Sequence, residues 1–309
     1  MTEAAAGVEF VDYDEFSMFA GNAEDYGLPY DGPPTVRRES VALGDGRSLS
    51  ALVWGSEAPE LVLLHGGAQN AHTWDTFAMA IGRPLVAIDL PGHGHSDGPA
   101  EGARNLMRNA EDVVTAVRAL APSAKAVVGM SLGGLTATAI ASLAPEVVPK
   151  LALIDITPGV TSEKAKAIHA FVNGPENFPS FEELLARTME FNPTRSESSL
   201  RRGILHNAEQ RPDGSWVWRY ARHRGAELLK DSPEEPLDVT TLWDAIEATA
   251  MPIMLVRGMA DGSVVDDADE DELMRRRADA VIERVEGAGH SIQGDKPLEL
   301  ATLIDAFAP

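Results

Sequence analysis

The feature that most constrains the fold is a series of short apolar runs, at 61–64, 84–88, 126–129, 151–156 and 253–256, set among helical patterns at 71–81, 103–120 and 132–144. Runs of this kind suit strands buried on both faces. Strand–helix–strand repetition requires right-handed crossovers, which predicts an α/β class with a mainly parallel sheet and helices on both faces. Two stretches, 36–43 and 49–54, flank Gly44-Asp45-Gly46 and read as a hairpin. A further strand is expected at 281–285 and a closing helix at 297–307.

The alternation stops at 157–250. That stretch carries amphipathic pieces at 164–172, 180–190, 197–207 and 240–248, broken by Pro179, Pro193, Pro212 and Pro233. It also holds many of the chain's aromatics, among them Phe171, Phe178, Trp216, Trp218 and Trp243. A helical insertion so rich in aromatics predicts a cap over a pocket, with Phe171, Phe178, Trp216 and Trp218 as candidate substrate-binding residues. The core is then 35–156 together with 251–309. Residues 1–34 stand apart as an acidic arm without Lys or Arg but with six aromatics, Phe10, Tyr13, Phe16, Phe19, Tyr26 and Tyr30. So much apolar surface is unusual in a tail left in water, so an arm packed on the body is expected. Arg37, Arg38, Arg219, Arg222 and Arg224 are candidate partners for its carboxylates.

Composition narrows the functional classes. Forty-four per cent of the 309 residues are hydrophobic, enough for a sizeable core. Lys and Arg number 26 against 48 Asp and Glu, a formal net charge of −22. A surface that acidic repels phosphate backbones and anionic lipid, which argues against nucleic-acid and membrane partners. With no cysteine there is no disulfide, thiolate nucleophile or cysteine-ligated metal. The acidic first residues and the lack of a long apolar run lead to the expectation of a soluble cytoplasmic protein.

The chemistry-bearing signal is Gly129-Met130-Ser131-Leu132-Gly133-Gly134, between the run 126–129 and the helical pattern 132–144. A serine in a tight strand-to-helix turn is held in strained geometry, and glycines are needed where the turn brings backbone together. The new helix aims free N–H groups at the serine, where a tetrahedral oxyanion would form. A helix-capping serine would explain Ser131 but not the flanking glycines. His65-Gly66-Gly67-Ala68 closes the run 61–64, and an N–H of Gly67 or Ala68 with that of Leu132 would complete an oxyanion hole.

Together these residues resemble the α/β-hydrolase family of capped serine hydrolases. The likeness is carried by His65-Gly66-Gly67, by Asp89-Leu90-Pro91-Gly92-His93-Gly94-His95-Ser96, by residues 129–134 and by Gly289-His290. It spans 35–309 and implies the α/β-hydrolase fold, an inserted helical cap, and a triad in the order Ser, Asp or Glu, His. Ser131 would be the nucleophile; epoxide hydrolases and haloalkane dehalogenases would have Asp there. His290, in a small-residue loop after 281–285, is the candidate base. Asp261 stands where the family places its acid, with Asp155, Asp266 and Asp267 as alternatives.

The implied reaction is cleavage of an ester, lactone or thioester of a largely apolar small molecule through an acyl-enzyme, with no cofactor or metal. Carbon–carbon hydrolysis of a diketone uses the same fold and triad, and some proteins of this fold act as small-molecule sensors or non-hydrolytic catalysts. His93-Gly94-His95-Ser96-Asp97 also matches part of a metal-binding H-x-H-x-D pattern, but Gly98 stands where the next histidine would be. His65 is expected to brace the oxyanion turn, and His72, His169, His206 and His223 to take surface or cap positions.

Overall fold

The computed structural model describes residues 10–99, 106–220 and 239–309. Eight strands form one sheet: β1 (Val36–Ala42), β2 (Ser48–Trp54), β3 (Leu61–Leu64), β4 (Leu85–Ile88), β5 (Ala126–Met130), β6 (Leu151–Ile154), β10 (Ile253–Gly258) and β11 (Val281–Val285). Their order is β1-β2-β4-β3-β5-β6-β10-β11. β2 is antiparallel to both β1 and β4, and the remaining pairs are parallel. The carboxyl ends of β3, β5, β6 and β10 therefore lie along one edge, where open α/β sheets place their ligands.

Alternation along the strands feeds two cores. Val62, Leu64, Val127, Leu151, Leu153 and Leu255 face one, shared with α3 (Leu106–Leu120), α4 (Leu132–Leu143), α8 (Val239–Ala248) and α9 (Asp267–Arg276). Leu61, Leu63, Val128, Ile154 and Val256 face the other, shared with α2 (Asp75–Ile81), α10 (Ile292–Asp295) and α11 (Pro297–Phe307). The central strands β3, β4, β5 and β6 are apolar throughout because both of their faces are covered.

Between β6 and α8 the described part of the cap holds α5 (Lys166–Val172), α6 (Phe181–Phe191) and α7 (Glu197–Asn207). Ser180 and Ser196 cap α6 and α7 by accepting the N–H groups of Glu183 and Ser199. The cap is not purely helical. β7 (Asn177–Phe178), β9 (Trp216–Trp218) and β8 (Ala208–Gln210) form a small antiparallel sheet in that order. The helix expected in the cap at 240–248 is α8, and its Leu242, Trp243 and Ile246 pack into the sheet's core instead. Arg222, His223 and Arg224 lie outside the described residues, as do positions 103–105 of the helix expected at 103–120.

From residue 10 the arm packs on core and cap alike. Its helix α1 (Phe19–Tyr26) buries Phe19 edge-on against Trp54, with ring centroids 5.2 Å apart. Glu15 accepts from Arg38 Nε at 3.0 Å, and the Tyr13 ring lies under the Arg219 guanidinium. Arg202, a partner not foreseen, joins Asn22 (2.8 Å) and Asp25 to the cap helix α7. Arg37 pairs with Glu39 rather than with the arm, and Phe10 and Tyr30 are exposed. Among the described residues, no helix is long and apolar enough to cross a membrane.

Candidate active site

Ser131 sits between β5 and α4 with φ 51° and ψ −119°. The turn is possible because of what glycine lacks. A Cβ on Gly129 would collide with the Gly133 carbonyl, and one on Gly133 with the Leu64 carbonyl. A Cβ on Gly66 would lie 3.3 Å from the Ser131 Cβ, so the turn after β3 runs directly beside the serine.

His290 Nδ1 lies 2.9 Å from Asp155 Oδ2. Asp155 is fully buried, one residue beyond β6, at φ 46°. Its carboxylate accepts from the N–H groups of Gly258 and Val264, both at 3.0 Å, and from the Ser263 hydroxyl at 2.6 Å. With the carboxylate as the acceptor, the network assigns the histidine proton to Nδ1. Nε2 of His290 is then an acceptor, buried and without a partner among the described residues. The carboxylate that meets His290 is therefore Asp155 and not the expected Asp261. Asp261 is exposed in the loop after β10, and that loop sends Ser263 and Val264 to hold Asp155. Asp266 caps α9 and pairs with Lys164, while Asp267 pairs with Arg257.

The turn after β3 divides the two expected oxyanion donors, Gly67 and Ala68. The Ala68 N–H is taken by His93 Nε2 at 3.1 Å, so Ala68 is not available as a donor. The N–H groups of Gly67 and Leu132 make no hydrogen bond among the described residues, and the space beside Gly67 is open. His65 braces the turn from beneath, with Nδ1 2.7 Å from the Gly66 carbonyl and Nε2 accepting from the Leu90 N–H at 3.0 Å. Asp97 accepts from Ser48, and His93 is engaged by Ala68, so this stretch is spent on holding the turn.

Asp89 anchors the same region. It is fully buried and accepts from Arg38 Nη1 (2.9 Å), the Ala71 N–H (2.7 Å) and the His95 N–H (3.0 Å). Burial alone would raise its pKa, but the charge of Arg38 and these N–H bonds outweigh it and hold it below the usual carboxylate range.

A cavity of about 140 Å³ lies between cap and core. Phe171 and Trp218 line it together with Ala68 and Gln69. Gln69 ties the cavity to the catalytic edge: Oε1 accepts from the Gly66 N–H (3.1 Å) and Nε2 reaches Ser291, next to His290 (3.4 Å). Phe178 and Trp216 do not line this cavity. They face each other across the β7–β9 ladder and pack inside the cap's own core. His72 and His206, expected at surface or cap positions, are both buried.

The model of the alpha/beta hydrolase family matches residues 61–303. Esterase Rv0045c of Mycobacterium tuberculosis is 41% identical over 305 residues, 96% of either chain. A structure of that esterase, from work on its transition metal inhibition, matches with a TM-score of 0.81 over 96% of this chain and 99% of that one. Protein phosphatase methylesterase 1 of Mus musculus is 31% identical over 176 residues, 52% of this chain and 45% of its own. E-2-(Acetamidomethylene)succinate hydrolase, at 23% identity over 88% of this chain and 99% of its own, shares the fold with a TM-score of 0.75. The chain belongs to the alpha/beta hydrolase family and is an α/β-fold hydrolase similar to carboxylic ester hydrolases.

Proposed function

We propose that this enzyme hydrolyses carboxylic esters of small, largely apolar molecules through an acyl-enzyme on Ser131. The observation that carries the reading is the unpartnered Nε2 of His290, on a ring whose other nitrogen is held by buried Asp155. Nε2 takes the Ser131 proton as Oγ attacks the carbonyl carbon, and Asp155 stabilises the imidazolium. The N–H groups of Leu132 and Gly67 receive the oxyanion. His290 then protonates the departing alkoxide, activates a water, and the acyl group leaves as the acid. Phe171 and Trp218 set two aromatic rings on the wall of the adjoining cavity, whose lining is otherwise largely polar. Lactones and thioesters fit the same chemistry. Ester cleavage is favoured over diketone cleavage because the similar proteins are named an esterase and a methylesterase. The transition metal inhibition of the Mycobacterium tuberculosis relative extends to this chain as an expectation.

The test is a panel of esters, lactones, thioesters and diketones with wild type and Ser131→Ala. Ester turnover should fall by roughly 10⁴-fold or more in the variant, as for triads generally. Turnover unchanged by Ser131→Ala, or confined to diketones, contradicts the reading.

A further inference from the structure

Arm, core and cap meet at a buried cluster that the hydrolytic machinery does not use. Tyr13 and Glu15 come from the arm, His72 from the single 3₁₀ turn Ala71–Trp74, Asp75 from the first position of α2, and His206 from the end of α7. The His72, Asp75 and His206 side chains are all buried. The two imidazoles stack with centroids 3.8 Å apart and 10° between their planes. Asp75 Oδ2 lies 2.9 Å from His72 Nδ1 and 3.8 Å from His206 Nε2. Two buried atoms there have no partner among the described residues, His206 Nε2 and Asp75 Oδ1. Each unsatisfied buried polar atom costs about 1–3 kcal/mol, so two at one place call for an explanation. All three side chains line the cavity between cap and core, which gives a ligand access.

We propose that His72, Asp75 and His206 form a binding site for one divalent transition metal ion. Their donor atoms lie within 4.8 Å of one another. A tetrahedral ion with ligands near 2.1 Å needs donors about 3.4 Å apart, and the distances of 2.9 and 3.8 Å from Asp75 Oδ2 straddle that separation. Two imidazoles with one carboxylate select zinc, nickel, cobalt or copper over magnesium and calcium. His206 Nδ1 meets the Tyr13 hydroxyl at 2.8 Å, a contact that orients the ring and leaves Nε2 for the metal. His72 Nδ1 exchanges the proton it shares with Asp75 for the ion. Its other nitrogen faces Glu15 and Arg38, whose charges offset each other there. The stacked rings must splay for an ion to lie in both ring planes, and the adjoining cavity gives them room. Water from the cavity completes the coordination.

Occupancy also reaches the oxyanion turn. Asn70 Nδ2 holds the His206 carbonyl at 3.0 Å, and Asn207 holds the Ala68 carbonyl. An ion that clamps His206 to Asp75 therefore acts on the segment that carries Gly67, and lowers turnover without touching Ser131 or His290. This last step rests on the proposed hydrolytic function; the binding does not.

The experiment is calorimetric titration of the untagged full chain with zinc and nickel, repeated on His206→Gln, Asp75→Asn and Ser131→Ala, with circular dichroism as the check of folding. Wild type and Ser131→Ala should bind one ion per chain, and His206→Gln and Asp75→Asn at least tenfold more weakly. Cobalt added to wild type should give the intense visible absorption of a low-coordinate site, a readout that needs no variant to fold. Equal affinity in folded His206→Gln and Asp75→Asn, as for an ion on His290, overturns the assignment. So does a cobalt spectrum like that of the free hydrated ion. Because binding is read in Ser131→Ala, a failure of the serine reading leaves this result interpretable.

Discussion

Among the described residues, the non-glycine positions with left-handed φ are Ala68 (60°), Ser131 (51°) and Asp155 (46°). Such conformations cost on the order of 1–3 kcal/mol each and persist where the surroundings hold them. Here those residues are the proposed nucleophile, the carboxylate bonded to His290, and the neighbour of the proposed oxyanion donor. Asp155→Asn should cut kcat by roughly 10⁴-fold with the fold intact, because the amide favours the wrong tautomer of His290. Asp261→Asn should stay within a few-fold of wild type; steady-state kinetics on both variants decides, and the reverse pattern contradicts the pairing. Ser131 was legible in the sequence because its glycine neighbours answer to local backbone collisions. Asp155 was legible only as an alternative to Asp261. What separates the two is burial, a property of the assembled fold, although an aspartate directly behind four apolar residues already carried the hint.

The elements divide in the same way. The central strands β3 to β6 were readable because each is apolar on both faces, a local property. The strands β7, β8 and β9 are two or three residues long, too short to show any period. The amphipathic pattern of α8 marked one buried face but not its partner, so the helix was placed in the cap when it packs on the sheet. Asp89 shows how elements are joined, since it links β1, the turn at Ala71 and the turn at His95. Its folded-state pKa is depressed, so its contribution is present above the unfolded value of 3.8 and is lost as pH falls through the lower folded value. Asp89→Asn should cost about 3 kcal/mol at neutral pH, the scale of breaking a buried pair. In chemical denaturation the gap to wild type should close as pH falls below 3.8; a gap independent of pH would rule out a charged Asp89 as its source.

At the scale of the molecule, the arm is bonded to the core through Glu15 and Arg38 and to the cap through Asp25 and Arg202. Its packing on core and cap was legible from its aromatics and from Arg38 and Arg219 as partners, but the pairing with Arg202 was not, because Arg202 is brought to it only by folding. Cap, core and arm together line a cavity whose wall includes Gln69, the residue that also touches the turn beside Ser131. In the proposed reaction an acyl group passes through Ser131 at this edge. Rapid acid quench of an ester reaction, read by intact mass and peptide mapping, tests it most directly. A transient mass increase equal to the acyl group, mapped to Ser131 and missing in Ser131→Ala, is expected; ester turnover with no covalent species, or with the acyl group on another residue, would rule out an acyl-Ser131 intermediate.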